Sequence, residues 1–391
     1  MFNHMPAIYR KEMLDLIRDR RAFVSMVVVP VLAIPLLFLV LGKIVTRIEQ
    51  KATAEANIVA VRNLDRLPGL LNALVGYNFE VKARDDLRAA VEKKEVPAAL
   101  EPVETPGGIA LTLYTDDSRP ESSVAGGKLQ EALDAFKNET VKLRLRSYNV
   151  PEAILSPFAI KRENVAPKQR MAGFMWGGIL GYLVVLLMFT GGMYPAIDAT
   201  AGEKERRTLE VVLSSPAGRN ELILGKILAT TTAVFATAVL TVSSLLVSFR
   251  YVEFGNETQK LRETMGNLPI DVHTMGLVLV ALLPTAIMGA SVMIAVALFA
   301  KSFKEAQSYL TPFLSAIIFP LIVGMLPGVT LTPASALIPL FNVCQLVKQI
   351  IQGEYAASNF AIVMAANAVY AVVAFFAAVR VFKNESVLFR T

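Results

Sequence analysis

Apolar residues fall in blocks of about 20 along the chain, and these blocks restrict its fold more than any other feature, because a helix of that length crosses the hydrocarbon core of a bilayer. The sequence is 54% hydrophobic and only 18% charged. Six blocks meet the criterion, at residues 22–41, 171–196, 227–249, 275–300, 309–326 and 360–379. We therefore predict an all-α polytopic membrane protein with six transmembrane helices.

A charged segment, residues 1–21, precedes the first apolar block. Its apolar and charged positions alternate with a helical period, which predicts an amphipathic helix on the cytoplasmic membrane surface. A secretory signal peptide is the competing interpretation. We reject it because the charged region is unusually long and no small-residue cleavage site follows Leu41.

Residues 42–170 have the composition of a soluble domain inserted between the first two transmembrane helices. Strand-like and helical patterns alternate in this segment, which predicts a small α/β domain. The predicted strands are residues 58–62, 79–83, 97–103 and 109–114, and the predicted helices are 64–75, 85–94 and 121–148. If the first helix runs outward, this domain is extracytoplasmic.

Basic residues next to the apolar blocks predict the orientation. They lie after the second, fourth and sixth blocks, at Lys204, Arg206, Arg207, Arg219, Lys226, Lys301, Lys304, Arg380, Lys383 and Arg390. The positive-inside rule then places both termini in the cytoplasm. The same rule accounts for the net charge of +6, so we expect the bilayer, and not nucleic acid, as the partner of these bases.

Residues 330–355 are apolar, and a seventh span is one interpretation of them, but two short re-entrant helices fit better. Lys348 would cost about 2.5–3.5 kcal/mol at the middle of the bilayer, and the C-terminal bases would then face outward. We predict two short re-entrant helices on the outer side, broken at Pro339.

Several kinds of site are excluded by simple counts and spacings. The single cysteine, Cys344, allows no internal disulfide framework, and two histidines cannot form a His-rich metal site, so we expect no metal. Gly225-Lys226 lacks the upstream glycine and the following Ser or Thr of a phosphate loop, so we expect no ATP site in this chain. Lys226 is instead interpreted as an interfacial base that reaches the lipid head groups.

Residues 202–217 combine dense charge with helical periodicity. Leu209, Val212 and Leu213 share one predicted face, whereas Glu203 and Arg207 form a possible i,i+4 pair on another. A solvated surface helix is one interpretation. A docking surface for a soluble partner explains both the charge and the apolar edge.

Three motifs resemble those of ABC-2 type transporter permeases. Residues 203–216, EKERRTLEVVLSSP, followed by Gly225-Lys226, resemble the first cytoplasmic coupling segment of that family. Residues 301–307, KSFKEAQ, are similar to the second coupling segment in its sodium-efflux, NatB-like branch. The bases and acids of residues 10–21 resemble the family's elbow helix.

The resemblance implies a membrane permease coupled to a separate nucleotide-binding subunit, which would carry ATP and Mg²⁺ while this chain binds no cofactor. It also implies a second permease copy or homologue, and a location in the bacterial inner membrane. The residues expected to contact the ATPase are Glu203, Glu205, Arg206, Arg207, Leu209, Glu210, Leu213, Lys304 and Glu305.

The substrate is less constrained. The polar residues that we assign to a substrate path are Thr190, Thr237, Thr241, Ser244, Ser291 and Asn342. No predicted span has a carboxylate at its centre, which fits Na⁺ poorly and fits an amphipathic drug, peptide or lipid at least as well. Hydroxyls in apolar helices more often bond to their own i−4 carbonyl groups.

A receptor or scaffold with a ligand-sensing outer domain is the alternative from another functional class. Such a protein should continue into a cytoplasmic output domain, whereas only residues 380–391 follow the last predicted span.

Overall fold

The computed structural model describes residues 4–55, 57–106, 108–148, 151, 168–251, 272–326 and 329–388. Within these ranges, six helices are long and apolar enough to cross a membrane, as predicted. They are Arg20–Val40, Gly177–Glu205, Arg219–Ser248, Val272–Ala297, Phe303–Gly324 and Ala357–Lys383. The side of the membrane on which each loop lies stays a prediction.

The chain divides into two compact units, one formed by Met1–Val40 with Val165–Thr391 and the other by Leu41–Asn164. The first unit is helical. Its described α-helices are α1 (Met5–Arg18), α2 (Arg20–Phe23), the start of α3 (Val29–Glu55), α7 (Lys168–Ile197), α8 (Glu203–Glu205), α9 (Leu209–Leu213), α10 (Arg219–Tyr251), α11 (Val272–Ala297), α12 (Phe303–Ala316), α13 (Ile318–Met325), α14 (Phe341–Gln352), α15 (Ala357–Lys383) and α16 (Glu385–Leu388).

Helix α7 packs along α10, and α11 packs along both α10 and α15. Small residues permit these close contacts, as is common between helices in membranes. A Cβ atom added at Gly289 would lie 2.0 Å from the ring of Phe189, and one added at Gly192 would lie 2.1 Å from the side chain of Val234. The backbones can approach because neither position has a side chain.

The segment 330–355 contains a single 3₁₀ turn, Ser335–Leu337, followed by α14. The two are separated at residues 338–340, which include Pro339. Helix α14 has 12 residues, so it extends about 18 Å and cannot cross the bilayer alone. Its placement on the outer side stays a prediction.

The second unit is built on a four-stranded sheet in the order β2-β1-β3-β4. Its strands are β1 (Ile58–Val61), β2 (Glu80–Ala83), β3 (Ala98–Thr105) and β4 (Gly108–Thr115), and its helices are α4 (Leu70–Gly76), α5 (Leu87–Glu92) and α6 (Pro120–Ser147). Strand β1 is parallel to β2 and β3, whereas β4 is antiparallel to β3.

Alternation along β1 places its side chains in two small cores. Val59 and Val61 pack in one with residues of α4 and α6, while Ala60 packs in the other with residues of α5.

The predicted helix over 64–75 is wrong in one respect, because it is divided into a 3₁₀ turn and α4. Pro68 has no N–H to donate, and Gly69 adopts a left-handed φ of 91°.

Candidate functional site

The segment 202–217 is not the single helix predicted from its periodicity. After α7 the chain continues through a π-helical turn, Asp198–Gly202, into α8, and then breaks before α9. Arg207 stands at the break with a left-handed φ of 58°. Its N–H bonds to the carbonyl of Lys204, and the N–H of Thr208 bonds to the carbonyl of Glu203.

These two hydrogen bonds form the helix-ending motif that normally has glycine at the left-handed position. Arg207 carries no such signal, so the sequence offered no reason to expect a break there. The predicted i,i+4 pair between Glu203 and Arg207 is also wrong, because the Glu203 carboxylate bonds to two lysines elsewhere.

Those contacts form a closed loop of ion pairs that we call the charge ring, made of Lys11, Glu12, Glu203 and Lys226. The Nζ atom of Lys226 donates to Glu203 over 2.7 Å and to Glu12 over 2.8 Å. The Nζ atom of Lys11 donates to the same two carboxylates over 2.6 and 3.1 Å, respectively. Each acid is therefore shared by two lysines.

The prediction that Lys226 reaches the lipid head groups is wrong. Its side chain is fully buried (0% exposed) and lies between the nearly buried carboxylates of Glu12 and Glu203. Both acids lie within hydrogen-bonding distance of its Nζ atom, so Lys226 pairs with them and does not extend to the head groups. The sequence did contain a sign that Glu12 is buried and paired. Glu12 interrupts an apolar stripe between Ile8 and Leu16 at i,i+4 spacing.

Lys11 is the one member of the charge ring that solvent reaches, with 44% of its side chain exposed. Burial lowers its pKa, but the charges of Glu12 and Glu203 and their hydrogen bonds more than offset this effect. The pKa of Lys11 therefore lies above its ordinary value of 10.5. Its stabilising contribution is fully present below that pH and is lost only as the pH rises further.

Lys204 ties the end of α8 to other parts of the first unit. Its Nζ atom donates to the carbonyls of Leu298 and Ala300, which follow α11, and to that of Val387 over 2.8 Å. A cation at the carbonyl end of a helix is favourable because those acceptors have no partner within the helix. In the sequence, Lys204 served only to predict the orientation in the membrane. In the structure, its side chain also joins α8 to the residues after α11 and to α16.

Glu205 joins the two segments that the sequence predicted as coupling segments. Its carboxylate accepts a hydrogen bond from the backbone N–H of Phe303 over 2.7 Å, at the first residue of α12. The ring of Phe303 also stacks against Tyr194 of α7, with 5.9 Å between centroids. Residues 203–217 and 301–307 are therefore in direct contact.

The predicted contact residues divide into exposed and internally bonded groups. Arg207, Glu210 and Lys304 are exposed. Leu209, expected to enter a partner, is only 4% exposed and packs in this chain's own core, whereas Val211 is 70% exposed. Leu213 is half-buried against the same core. The apolar residue that this surface offers is thus Val211.

Two further predicted residues are bonded within the chain. Arg206 forms an ion pair with Asp198 over 2.7 Å, and that hydrogen bond raises the pKa of Arg206. Glu305 accepts from the N–H of Lys301, while its own N–H donates to the Ser302 hydroxyl at the start of α12. The latter pair is a helix cap.

The hydroxyls predicted to line a substrate path are mostly satisfied by their own helices. Thr190, Thr237, Thr241 and Ser291 each donate to the carbonyl four residues earlier. Ser244 instead donates to the carbonyl of Val31 and so joins α10 to α3. These bonds match the structural role that apolar helices usually give to hydroxyls.

Asn342 belongs to a buried polar chain that crosses three helices. Its side-chain nitrogen donates to the carbonyl of Ala336 and to the side-chain oxygen of Asn367 over 3.0 Å. Asn367 in turn donates to the hydroxyl of Thr285 over 3.2 Å. Asn367 and Thr285 were missed, although an Asn inside an apolar span is itself a signal of a polar partner.

A groove of about 590 Å³ lies beside the charge ring. Its lining includes Lys11 and Arg18 of α1, Arg206 and Val211 of the segment 202–217, and Phe303 of α12. The groove is therefore bounded by both segments that are in contact and by the N-terminal helix.

Comparison with known proteins identifies the family of the chain. A family model described as ABC-2 family transporter protein matches residues 20–380. The ABC transporter permease protein NatB of Bacillus subtilis (strain 168) is 28% identical over 357 residues, which are 88% of this chain and 89% of that relative. No solved structure matched the chain.

Proposed function

The chain belongs to the ABC-2 family of transporter proteins, and on that premise we propose that it couples ATP hydrolysis on a separate nucleotide-binding subunit to export of a substrate. The exposed residues of segments 202–217 and 301–307 form the surface that receives the ATPase. The ATP and Mg²⁺ are bound by the partner, and this chain has no ATPase site of its own.

The observation that supports this proposal best is the hydrogen bond from Phe303 to Glu205. Residues 203–217 lie between α7 and α10, and residues 301–307 follow α11 and include the start of α12. A force applied to either segment is therefore transmitted to the ends of four membrane helices. A soluble subunit needs such a connection in order to move the transmembrane helices.

The docking surface consists of the exposed residues around α9. Glu210 and Arg207 set the register through charge, Val211 supplies an apolar contact, and Lys304 extends the surface onto α12. Charged pairs that become desolvated in such an interface give specificity, and removal of one partner is costly.

The working assembly contains a second copy of this chain or a homologue. It is a multi-pass protein of the bacterial inner membrane, with both termini in the cytoplasm and the α/β unit outside. The bases that follow the second, fourth and sixth spans support this orientation.

We favour an amphipathic drug, peptide or lipid over Na⁺ as the substrate. In the described parts of the six candidate spans, the carboxylates lie towards the helix ends, at Asp198, Glu203, Glu205, Glu221 and Glu305. A dehydrated Na⁺ prefers several oxygen ligands and is usually helped by a buried carboxylate, and the described parts of these spans place none near their centres.

The docking proposal is tested with the substitution Glu210→Arg in protein co-expressed with its cognate ATPase. We expect the variant to lose both co-purification with the ATPase and stimulation of ATP hydrolysis, while its folding is unchanged. The matched control is Glu139→Arg, which makes the same charge change at an exposed position of α6. Unchanged co-purification and stimulation in Glu210→Arg would contradict the docking surface.

The substrate class is tested in inverted vesicles that contain both subunits. ATP-dependent uptake of a fluorescent amphipathic dye is expected, and uptake of radioactive Na⁺ is not. Na⁺ uptake without dye uptake would reverse the assignment of substrate while leaving the docking surface intact.

A further inference from the structure

The charge ring brings together three parts of the first unit that are distant in sequence. Lys11 and Glu12 lie on α1, Glu203 is the first residue of α8, and Lys226 is the eighth residue of α10. Glu203 and Lys226 thus stand on either side of residues 204–217, most of which are exposed. The ring fastens both ends of that segment to the N-terminal helix.

Burial makes these contacts difficult to separate. Lys226 is 0% exposed, Glu203 is 2% exposed and Glu12 is 4% exposed. A buried charge that loses its partner is strongly unfavourable, because no water replaces the lost contact. The three elements are therefore expected to move together, since any independent movement would strand a charge.

The contact between α1 and α10 extends beyond the charge ring. A Cβ atom at Gly225 would lie 2.6 Å from the side chain of Ile8, so the absence of a side chain there permits close approach. The hydroxyls of Tyr9 and Thr232 are 3.1 Å apart, at hydrogen-bonding distance. Helix α1 thus lies along the first turns of α10, and the ring is part of a longer contact between them.

We propose that the charge ring is a positioning device that makes the N-terminal helix, the coupling segment 203–217 and the start of α10 respond as one body to the ATPase. This proposal rests on the proposed function, because it assumes that the ATPase acts on that segment. Lys11, Glu12, Glu203 and Lys226 act by transmitting displacement, and they contact neither nucleotide nor substrate.

The main test is the double substitution Lys226→Met with Glu203→Gln. It removes one positive and one negative charge, keeps similar side-chain volumes and leaves the Lys11–Glu12 pair in place. Replacement of buried ion pairs by neutral residues of similar volume is often tolerated by the fold. Lys11→Met is the second variant, because it removes the solvent-exposed corner of the ring and puts folding at less risk.

Movement is measured between spin labels attached at Ala7→Cys on α1 and Ser215→Cys after α9. Both positions are exposed, whereas the native Cys344 is buried. Distances are recorded in the complex with the ATPase, without nucleotide and with ATP bound to a partner variant that cannot hydrolyse it. With an intact ring, the distance should be the same in both states.

In the double variant, ATP should shift or broaden that distance, and stimulation of the ATPase should fall about fivefold or more. Lys11→Met should change both quantities in the same direction by less. The control Arg219→Met with Glu385→Gln removes an exposed ion pair of 2.8 Å between α10 and α16, and should behave like the wild type.

The outcomes separate the two proposals. If both ring variants keep the wild-type distance and stimulation, the role of the ring is overturned while the docking surface stands. If the wild-type chain neither binds nor stimulates the ATPase, the proposed function is overturned and the role of the ring with it. If the ring has only a structural role, a correctly folded double variant should couple to the ATPase normally.

Discussion

The carboxylate of Glu205 accepts a hydrogen bond from the backbone N–H of Phe303 over 2.7 Å. The two residues are 98 positions apart in sequence, and each belongs to one of the exposed segments proposed to receive the ATPase. This contact stabilises the start of α12, because the first N–H groups of a helix have no acceptor within the helix.

Substitution Glu205→Ala should therefore weaken the junction between the two segments by about 0.5–1.5 kcal/mol. We expect lower stimulation of the partner ATPase and a small decrease in thermal stability in detergent. Glu205→Gln retains an oxygen acceptor and is the matched control. Equal stimulation in the Ala and Gln variants would show that the hydrogen bond does not join the segments functionally.

The contact between α7 and α11 gives a prediction about packing. Gly289→Ala would place a Cβ atom 2.0 Å from the buried ring of Phe189, so overpacking should cost about 1–3 kcal/mol. Gly276→Ala, in the same helix, has no atom within 4 Å of the new Cβ and should be neutral or slightly stabilising. Thermal unfolding in detergent distinguishes them, and similar midpoints would contradict this packing.

The polar chain through Asn367 should contribute to the association of α11, α14 and α15. Asn342→Ala, Asn367→Ala and the double variant form a cycle that isolates the bond between the two amides. We expect a coupling free energy of about 0.6 kcal/mol, the average for hydrogen bonds between membrane helices, and at most about 1.7 kcal/mol. Strictly additive losses in the free energy of unfolding would show that the bond contributes nothing.

Thr237→Val and Thr241→Val should leave dye export within about twofold of the wild type, because each hydroxyl bonds to its own helix and the Val side chain has nearly the same shape. Dye uptake by inverted vesicles checks this expectation. A selective loss of uptake with unchanged ATPase stimulation would instead return these hydroxyls to the substrate path.

Much of the architecture was accessible from residue patterns alone. Six apolar blocks predicted six candidate membrane helices, and period-two patterns located the strands near Val59 and Leu100. The motif at residues 203–216 indicated the family. These features depend on local composition and spacing, which a short stretch of chain carries within itself.

The organisation of the site was different, because it depends on partners that are far apart in sequence. The carboxylate of Glu203 lies in a closed ring with residues 192 and 23 positions away, and nothing in the spacing of Lys11 and Lys226 predicts that encounter. The sequence pattern could place Lys226 at the start of a membrane span. Only the tertiary contacts of α1 and α8 with the start of α10 brought two acids, Glu12 and Glu203, close enough to keep that base out of solvent.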